Sequence, residues 1–132
     1  MNKKLVLGTT QFGLSYGINN KVGQVSNNEV VRILDYAYEK GLDVLDTAPV
    51  YGNSEKLIGD YFKKNQNKEF KIITKISSHG ESLTKQFLKS LKNMRVDKVK
   101  SVLFHSIELY RYFKSEINYF LEKFKGSRFN EL

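Results

Sequence analysis

The sequence predicts an α/β fold in which four strand–helix units follow one another along the chain. Short apolar runs alternate with segments whose apolar residues recur at helical spacing, and no sequence typical of a hairpin turn joins two of the runs. Strands that alternate with helices pair in parallel through right-handed crossovers. Two architectures agree with this pattern: an open doubly wound sheet, or part of a (β/α)8 barrel, which needs about 250 residues when complete.

The composition is that of one folded domain covering residues 1–132. Hydrophobic residues make up 40% of the chain and charged residues 27%, which argues against disorder. The net charge of +8 arises mainly from lysines scattered over the predicted helices. Because no nucleic-acid-binding motif accompanies them, we expect a solvated basic surface and no nucleic-acid partner.

Two absences from the sequence bear on where the protein resides. No apolar run reaches membrane-spanning length, and the run after the basic N-terminus is too short for a signal peptide. The chain also contains no cysteine, which excludes disulfides and thiolate metal sites. We therefore expect a cytoplasmic protein that does not span a membrane, and we predict no metal site.

The first strand–helix unit begins with the apolar run Leu5–Leu7, which we expect to form a buried strand. A loop rich in glycine, serine and asparagine follows over residues 12–24. Ser26 and Glu29 have the S-x-x-E spacing of a helix capping box. Gly41 follows the last apolar position of this helical segment, where glycine commonly terminates a helix.

The second and third units follow the same plan. Val44–Leu45 is predicted to be the second strand, and Ser54 is expected to cap the helix whose apolar face includes residues 57–62. Residues 70–75 contain three successive β-branched residues and are predicted to form the third strand. The apolar stripe between residues 83 and 94 predicts the helix that follows.

The fourth unit is the richest in aromatic residues. Residues 99–105 are predicted to form the fourth strand, and one helix is expected over residues 108–125, ended by Gly126. Most of its aromatic residues fall at core spacing, but so dense a stripe would be partly exposed in half of a barrel and would then favour association. They are Tyr110, Tyr112, Phe113, Tyr119, Phe120 and Phe124.

Polar side chains stand where each predicted strand ends. Thr9 follows the first strand, Asp46 the second, Lys75 ends the third and His105 ends the fourth, while Tyr51 lies on the loop after Asp46. The carboxyl ends of parallel strands meet at one edge of the sheet, where active sites of α/β proteins are found. We therefore expect these side chains to lie close together.

The chemistry of such a group is that of carbonyl protonation. A lysine ammonium beside a phenol favours its phenolate form, so Lys75 would ease proton donation from Tyr51. Asp46 would keep the lysine charged and oriented, and His105 could donate a hydrogen bond to a carbonyl oxygen. None of these side chains is a hydride source, so a reduction would need a cofactor.

Each of these residues also has a structural interpretation. Asp46 could cap the turn after its strand, Tyr51 could be a packing aromatic, and His105 could be a structural histidine. The occurrence of aspartate, lysine and histidine at three successive strand ends favours a functional site instead. His79, in a Ser-Ser-His-Gly loop, is predicted to be exposed and to have no catalytic role.

The segments that carry these side chains resemble the N-terminal half of an aldo-keto reductase over residues 4–126. The D-T-A-P-V-Y-G-N-S-E stretch is the most specific, and its N-S-E ending resembles the bacterial branch of the family. The other segments support it through their order and spacing. The matching segments are L-G-T-T-Q-F-G (7–13), L-D-T-A-P-V-Y-G-N-S-E (45–55), I-I-T-K (72–75) and V-L-F-H-S (102–106).

The resemblance implies a (β/α)8 TIM barrel, of which this chain would form half, and an oxidoreductase activity. Members of the family use NADPH to reduce aldehydes and ketones, and a sugar-like carbonyl compound is one expected substrate here. By the same resemblance, Tyr51 would be the general acid, supported by Lys75 and Asp46. His105 would orient the carbonyl group of the substrate.

The cofactor site implied by the resemblance is incomplete. Gly8, Thr9 and Asp46 would lie near the nicotinamide end of NADPH, whereas most other cofactor contacts in the family come after the fifth strand. That strand would begin about where this sequence stops, so a truncated form of doubtful activity is expected. Two alternatives are a half-barrel that self-associates through the exposed edges of its first and fourth strands, and a non-catalytic basic binding module.

Overall fold

The computed structural model describes residues 5–132, which form one parallel sheet of four strands in chain order, covered by helices on one face. The basic N-terminal residues 1–4 lie outside the described part. The predicted α/β fold of four consecutive βα units is confirmed. The strands are β1 (Leu7–Gly8), β2 (Val44–Asp46), β3 (Lys71–Ile76) and β4 (Ser101–Phe104). The helices are α1 (Thr10–Gly13), α2 (Asn27–Glu39), α3 (Ser54–Lys64), α4 (Leu83–Met94), α5 (Ile107–Tyr112) and α6 (Ile117–Phe124).

The helices begin and end largely where the sequence predicts. Ser26 accepts a hydrogen bond from the backbone N–H of Glu29 at the start of α2, as the capping box requires. Gly41 has a φ of 73° just after α2, a conformation that glycine adopts without a steric penalty. The predicted loop over residues 12–24 is shorter, because the short helix α1 occupies its first part. No helix within residues 5–132 combines the length and apolar character needed to cross a membrane.

The register of the sheet aligns the carboxyl ends of its strands. Gly8 pairs with Asp46, and Asp46 pairs with Ile73, so β2 ends two residues before the level of Lys75. Lys75 in turn pairs with Leu103 of β4. The ends of all four strands therefore point to the same edge, from which the loops to α1, α3, α4 and α5 leave.

Two hydrophobic clusters fill the layer between sheet and helices. One lies under α2 and α3 and contains Phe12, Val30, Leu34, Leu45, Ile58 and Tyr61. The other lies under α4, α5 and α6; it includes Ile72, Ile76, Phe87, Val102, Phe113, Phe120 and Phe129. Phe62 is partly buried against both clusters and marks the seam between them.

The opposite face of the sheet is only partly covered. Residues alternate between the two faces of a strand, and those that point away from the helices stay accessible: Val44 and Ile73 are half-buried, and Leu103 is 39% exposed. The short apolar strand sequences predicted burial on both faces. Among residues 5–132 this prediction is wrong for the second face, because no helix or loop of this part packs over it.

Several element boundaries differ from the prediction. The fourth strand, predicted over residues 99–105, is confined to Ser101–Phe104. The first strand was predicted over Leu5–Leu7, but β1 begins at Leu7, and Leu5 before it is 64% exposed. β1 is the edge strand and pairs with one neighbour alone within the described chain, so little structure covers its start. The predicted helix over residues 108–125 is divided into α5 and α6. At the division, the carboxylate of Glu116 accepts a hydrogen bond from the backbone N–H of Leu83, 3.3 Å away at the start of α4. This tertiary contact has no signal in the local periodicity.

The last residues of the chain extend the sheet beyond β4. Asn130 N–H donates to the carbonyl oxygen of Lys100 (3.1 Å), and Val102 N–H donates to that of Glu131 (2.9 Å). Ser101 and Glu131 form a parallel bridge and are also joined through their side chains. Residues 130–131 therefore occupy the position expected for a fifth strand. The edge of β4 is accordingly paired in part, whereas the sequence predicted it to be exposed.

Candidate active site

The four predicted catalytic side chains lie at the carboxyl edge of the sheet. Asp46 is the last residue of β2, and Lys75 is the penultimate residue of β3. His105 follows β4 directly and is tied to the sheet by its N–H, which donates to the carbonyl oxygen of Ile76 at 3.0 Å. Tyr51 lies on the loop between β2 and α3. The structure therefore brings together residues that span more than fifty positions of the sequence.

Lys75 is the centre of this group. Its Nζ contacts a carboxylate oxygen of Asp46 and donates to the carbonyl oxygen of Thr47 at 3.0 Å. The side chain is 13% exposed. A lysine buried to this degree needs acceptors to offset its lost hydration, and here a full negative charge and a carbonyl dipole supply them. The pair also fixes the ammonium in one place.

Tyr51 lies between Lys75 and His105. The Nζ of Lys75 is 5.0 Å from the centroid of the Tyr51 ring, within the range of a cation–π contact. The ring of His105 lies edge-on to the ring of Tyr51, with 6.0 Å between their centroids. Tyr51 and Lys75 are part-buried and His105 is exposed, so the group is accessible from the open side of the sheet.

Two glycines allow the Tyr51 loop to lie against α1. A Cβ atom added to Gly13 would stand 1.7 Å from the carbonyl oxygen of Tyr51, which no side chain could tolerate. Gly52 has a φ of 57°, and a Cβ there would meet the carbonyl oxygen of Gly13 at 2.3 Å. The backbones of these two segments therefore touch directly, and this contact fixes the position of Tyr51.

Ser54 has a different role from the predicted one. Asn53 occupies the N-cap position of α3, and Ser54 is the first residue of the helix. The hydroxyl of Ser54 is buried and lies 3.1 Å from the carbonyl oxygen of Thr9 and 2.9 Å from the Thr9 hydroxyl. It is also 3.2 Å from the hydroxyl of Thr47. The predicted cap is thus wrong, because the serine hydroxyl joins the start of α3 to the ends of β1 and β2 instead.

Of the three predicted cofactor contacts, Thr9 is held inside this hydroxyl network. Its side chain is fully buried, and its hydroxyl donates to the carbonyl oxygen of Asp46 at 2.9 Å. The Thr9 side chain therefore supports the strand ends and does not face the open side of the site. Gly8, by contrast, is exposed with no atom within 4 Å of the position of a Cβ, and the Asp46 side chain is 33% exposed.

Glu55 is a residue of the site region that the sequence analysis missed. Its side chain is almost fully buried in the first turn of α3. Thr74 of β3 donates a hydrogen bond to one carboxylate oxygen at 2.9 Å, and Asn93 of α4 donates to the other at 3.1 Å. The signal in the sequence was the glutamate directly after Ser54 in the most specific motif. Its role is to hold the end of the Tyr51 loop against the sheet.

The described residues contain no group of histidine, aspartate and glutamate side chains that could hold a metal ion. His79, to which the sequence analysis assigned no role, is exposed and lies edge-on to the ring of Tyr112, with 4.7 Å between centroids. The candidate site consists of four side chains, those of Asp46, Tyr51, Lys75 and His105, with Gly8 beside them.

Comparison with known proteins agrees with this arrangement. The sequence profile of the Aldo/keto reductase family matches residues 4–127. The oxidoreductase sirO of Leptosphaeria maculans is 38% identical over 76 residues, which are 55% of this chain and 22% of that protein. Norsolorinic acid reductase B of Dothistroma septosporum is 34% identical over 77 residues, or 56% of this chain and 19% of that protein.

Solved structures share the fold. A Pseudomonas aeruginosa protein assigned to the aldo-keto reductases superposes with a TM-score of 0.65 at 24% identity, covering 91% of this chain and 55% of its own. A thermostable aldo-keto reductase crystallised with the inhibitor epalrestat gives a TM-score of 0.66 at 23% identity, covering 96% and 48%. The present chain thus spans about half the length of these structures.

The parallel α/β sheet, with Asp46, Tyr51, Lys75 and His105 at its carboxyl edge, agrees with the fold of these proteins. The chain belongs to the aldo/keto reductase family, since the family profile covers nearly all of its residues.

Proposed function

We propose that this chain carries the proton-donating half of an NAD(P)H-dependent carbonyl reductase. The observation that carries the proposal is the position of the Lys75 ammonium, which is held by Asp46 and Thr47 and lies over the ring of Tyr51. This geometry suits a reaction in which Tyr51 gives its phenolic proton to a carbonyl oxygen while that oxygen gains negative charge.

The side chains divide the work of this step. Tyr51 donates the proton, and the nearby positive charge of Lys75 stabilises the phenolate that remains. Asp46 keeps that positive charge in place, because a lone ammonium at this depth would be costly. His105, whose ring adjoins that of Tyr51, donates a hydrogen bond that orients the carbonyl oxygen.

NADPH is the proposed cofactor, and when bound it supplies the hydride that none of these side chains can provide. Gly8 and Asp46 would hold its nicotinamide end, since both are accessible on the open side of the strand ends. Gly8 presents backbone without a side chain there, which allows a flat ring to approach closely. Thr9 would support this region from beneath through its bond to Asp46.

The proposed substrate is a small aldehyde or ketone, including sugar-like carbonyl compounds. The strand ends offer polar groups, those of Tyr51 and His105, for a carbonyl oxygen. The cytoplasm is the proposed location, because a chain without cysteine is suited to a reducing compartment.

The proposal is tested by replacing Tyr51 with phenylalanine, which keeps the ring and removes the proton. Aldehyde-dependent NADPH oxidation, followed by absorbance, should fall about 100-fold to 10,000-fold, the usual contribution of a general acid. NADPH affinity, measured by fluorescence titration, should stay the same. Tyr36→Phe is the matched control, because Tyr36 is exposed on α2, and it should retain full turnover. Equal turnover in the Tyr51 and Tyr36 variants would contradict the role of Tyr51.

We also propose that the chain self-associates through the face of the sheet opposite the helices and the open edge of β1. The supporting observations are the exposure of Leu103 on that face and of Val6 beside that edge. An open sheet edge with apolar neighbours favours pairing with a second chain.

A further inference from the structure

A cavity lies at the other end of the sheet, away from the candidate active site. It opens between the loop from α3 to β3 and the loop from α4 to β4, at the amino ends of these strands. We call it the amino-end cavity. Its volume is about 640 Å³, within the range of about 300 to 1,000 Å³ that is usual for small-molecule sites. Along β3, Lys71 at the cavity is four residues from Lys75, or roughly 13 Å at 3.3 Å per residue.

The walls of the amino-end cavity are mainly apolar. Phe62 and Phe70 stack with 6.0 Å between their centroids and an angle of 27° between the rings. Val96 and Val99 also line the cavity. Phe62 is the residue at the seam of the two core clusters, so the cavity lies where the packing of the two halves of the core does not close. Such a surface suits the face of an aromatic ligand.

Four lysines also line the cavity, and two of them form ion pairs with aspartates. Lys68 forms an ion pair with Asp35 at 2.6 Å, and this hydrogen bond, with one from Tyr61, lowers the pKa of Asp35 below its usual value. Lys71 forms an ion pair with Asp43 at 2.7 Å. These two pairs therefore contribute little uncompensated charge to the cavity.

Lys98 and Lys100 supply the remaining positive charge. The Nζ of Lys98 donates to the carbonyl oxygen of Gly126 at 3.3 Å, which leaves its charge uncompensated. Lys100 is half-buried, and its ammonium group has no hydrogen-bond or ion-pair partner among residues 5–132. One carboxylate, that of Glu69, also lines the cavity. Two uncompensated positive charges, those of Lys98 and Lys100, stand against the one negative charge of Glu69, and the excess favours an anion.

We propose that the amino-end cavity is a binding site for a small aromatic carboxylate. The stacked pair of Phe62 and Phe70 receives the ring, and the ammonium of Lys100 receives the carboxylate through a charge-assisted hydrogen bond. The half-buried position of Lys100 strengthens this bond, because the interaction is screened less than at an open surface. This site is separate from the proposed carbonyl-reducing site, and it stands or falls independently of that function.

The probe for a first test is 2-naphthoate, whose fluorescence anisotropy rises on binding. The chain has no tryptophan, so the emission of the probe can be followed with little interference. One saturable site is expected. Lys100→Gln should weaken binding by about tenfold or more, the effect of losing one charge-assisted hydrogen bond. Lys100→Arg should retain most of the affinity, and the neutral analogue 2-naphthalenemethanol should bind more weakly than the anion.

Lys56→Gln is the matched control, because Lys56 is exposed on α3 outside the cavity and its loss lowers the net charge by the same amount. It should change the affinity by less than about twofold, as expected for screened surface charge. Thermal denaturation checks that each variant is folded. If Lys100→Gln does not fold, Lys98→Gln carries the same test, with a smaller expected loss.

Three results would overturn the proposal. The first is the absence of saturable binding to the wild-type chain. The second is an equal effect of the cavity variant and Lys56→Gln, which would show attraction by net charge alone. The third is a loss of affinity in His105→Gln without a loss in Lys100→Gln, which would place the anion at the carboxyl edge of the sheet.

Discussion

The carboxylate of Glu55 joins three elements at one buried point. It lies on α3 and accepts hydrogen bonds from Thr74 of β3 and Asn93 of α4. Its position in the first turn of α3 is also favourable for a negative charge, because the helix dipole is positive there. A side chain without a proposed chemical role thus holds the base of the loop that carries Tyr51.

Replacing Glu55 by alanine should destabilise the fold by about 2–4 kcal/mol, because the buried hydroxyl of Thr74 and the half-buried amide of Asn93 would lose their acceptor. Glu55→Gln keeps the shape and one good acceptor, so its loss should be smaller. The free energy of unfolding is measured by urea denaturation. Glu122→Ala, at an exposed position of α6, is the matched control and should lie within about 0.5 kcal/mol of wild type. An equal loss in the Glu55 and Glu122 alanine variants would refute the bridging role.

The side chains whose chemical type is unusual for their position could be predicted from the sequence. A lysine at the end of an apolar strand is conspicuous, and Asp46 and His105 stand at neighbouring strand ends, so their approach follows from parallel pairing. Thr9 and Ser54 could not be assigned in this way. Their hydroxyls meet across 45 positions of sequence, and either residue alone fits an ordinary turn or cap.

At the scale of elements, the approach of α1 to the Tyr51 loop is set by backbone contact. Gly13 has no room for a side chain, since a Cβ would overlap the carbonyl oxygen of Tyr51. The contact explains why a glycine closes the T-T-Q-F-G segment and another follows Tyr51. Both are needed for two backbones to touch.

Gly13→Ala should therefore displace the Tyr51 loop and destabilise the fold by about 1–3 kcal/mol, the usual cost of overpacking. Urea denaturation measures the loss, and the proposed carbonyl reduction should fall with it because Tyr51 would move. Gly80→Ala is the matched control: its Cβ would approach the flexible Ser78 side chain alone, at 3.4 Å. If the two alanine variants proved equally stable, the close contact at Gly13 would not contribute to the free energy of unfolding.

The division of α5 from α6 shows where local pattern fails. Leu109, Phe113, Phe120 and Phe124 are all buried, and their spacing is that of one continuous helix. The chain nevertheless turns between residues 113 and 116, where Glu116 contacts the start of α4. Apolar periodicity predicts which face of a helix is buried. It does not reveal a turn after which the next helix buries its residues on the same side. The order of strands and helices could be predicted, because it depends only on the type of each element and on its place along the chain.

At the scale of the whole molecule, the sheet has one covered face and one open face among residues 5–132. Leu103 is exposed on the open face, and half-buried apolar residues of β2 and β3 accompany it. Apolar surface of this kind is stabilised by removal from water. The proposed self-association provides such a cover.

Leu103→Lys should shift the proposed assembly toward the monomer, because burial of a charge in an apolar contact is costly. Sedimentation velocity across a range of protein concentrations measures the change. Leu88→Lys is the matched control, since Leu88 has a similar exposure but lies on α4, on the helical side. A wild-type chain that is monomeric at all concentrations would refute self-association, and equal behaviour of the two lysine variants would refute the assigned face.

The strand order has a consequence for how the chain folds during synthesis. Each strand pairs with its predecessor in sequence, in the order β1-β2-β3-β4, and residues 130–131 continue on the far side of β4. Every pairing therefore joins strands that are consecutive in sequence: Leu7 and Leu45 are 38 positions apart, and Leu45 and Ile72 are 27 apart. The entropic cost of closing such a segment grows only slowly with its length. A nascent chain can add one strand–helix unit at a time to an existing edge as it leaves the ribosome, without waiting for distant sequence.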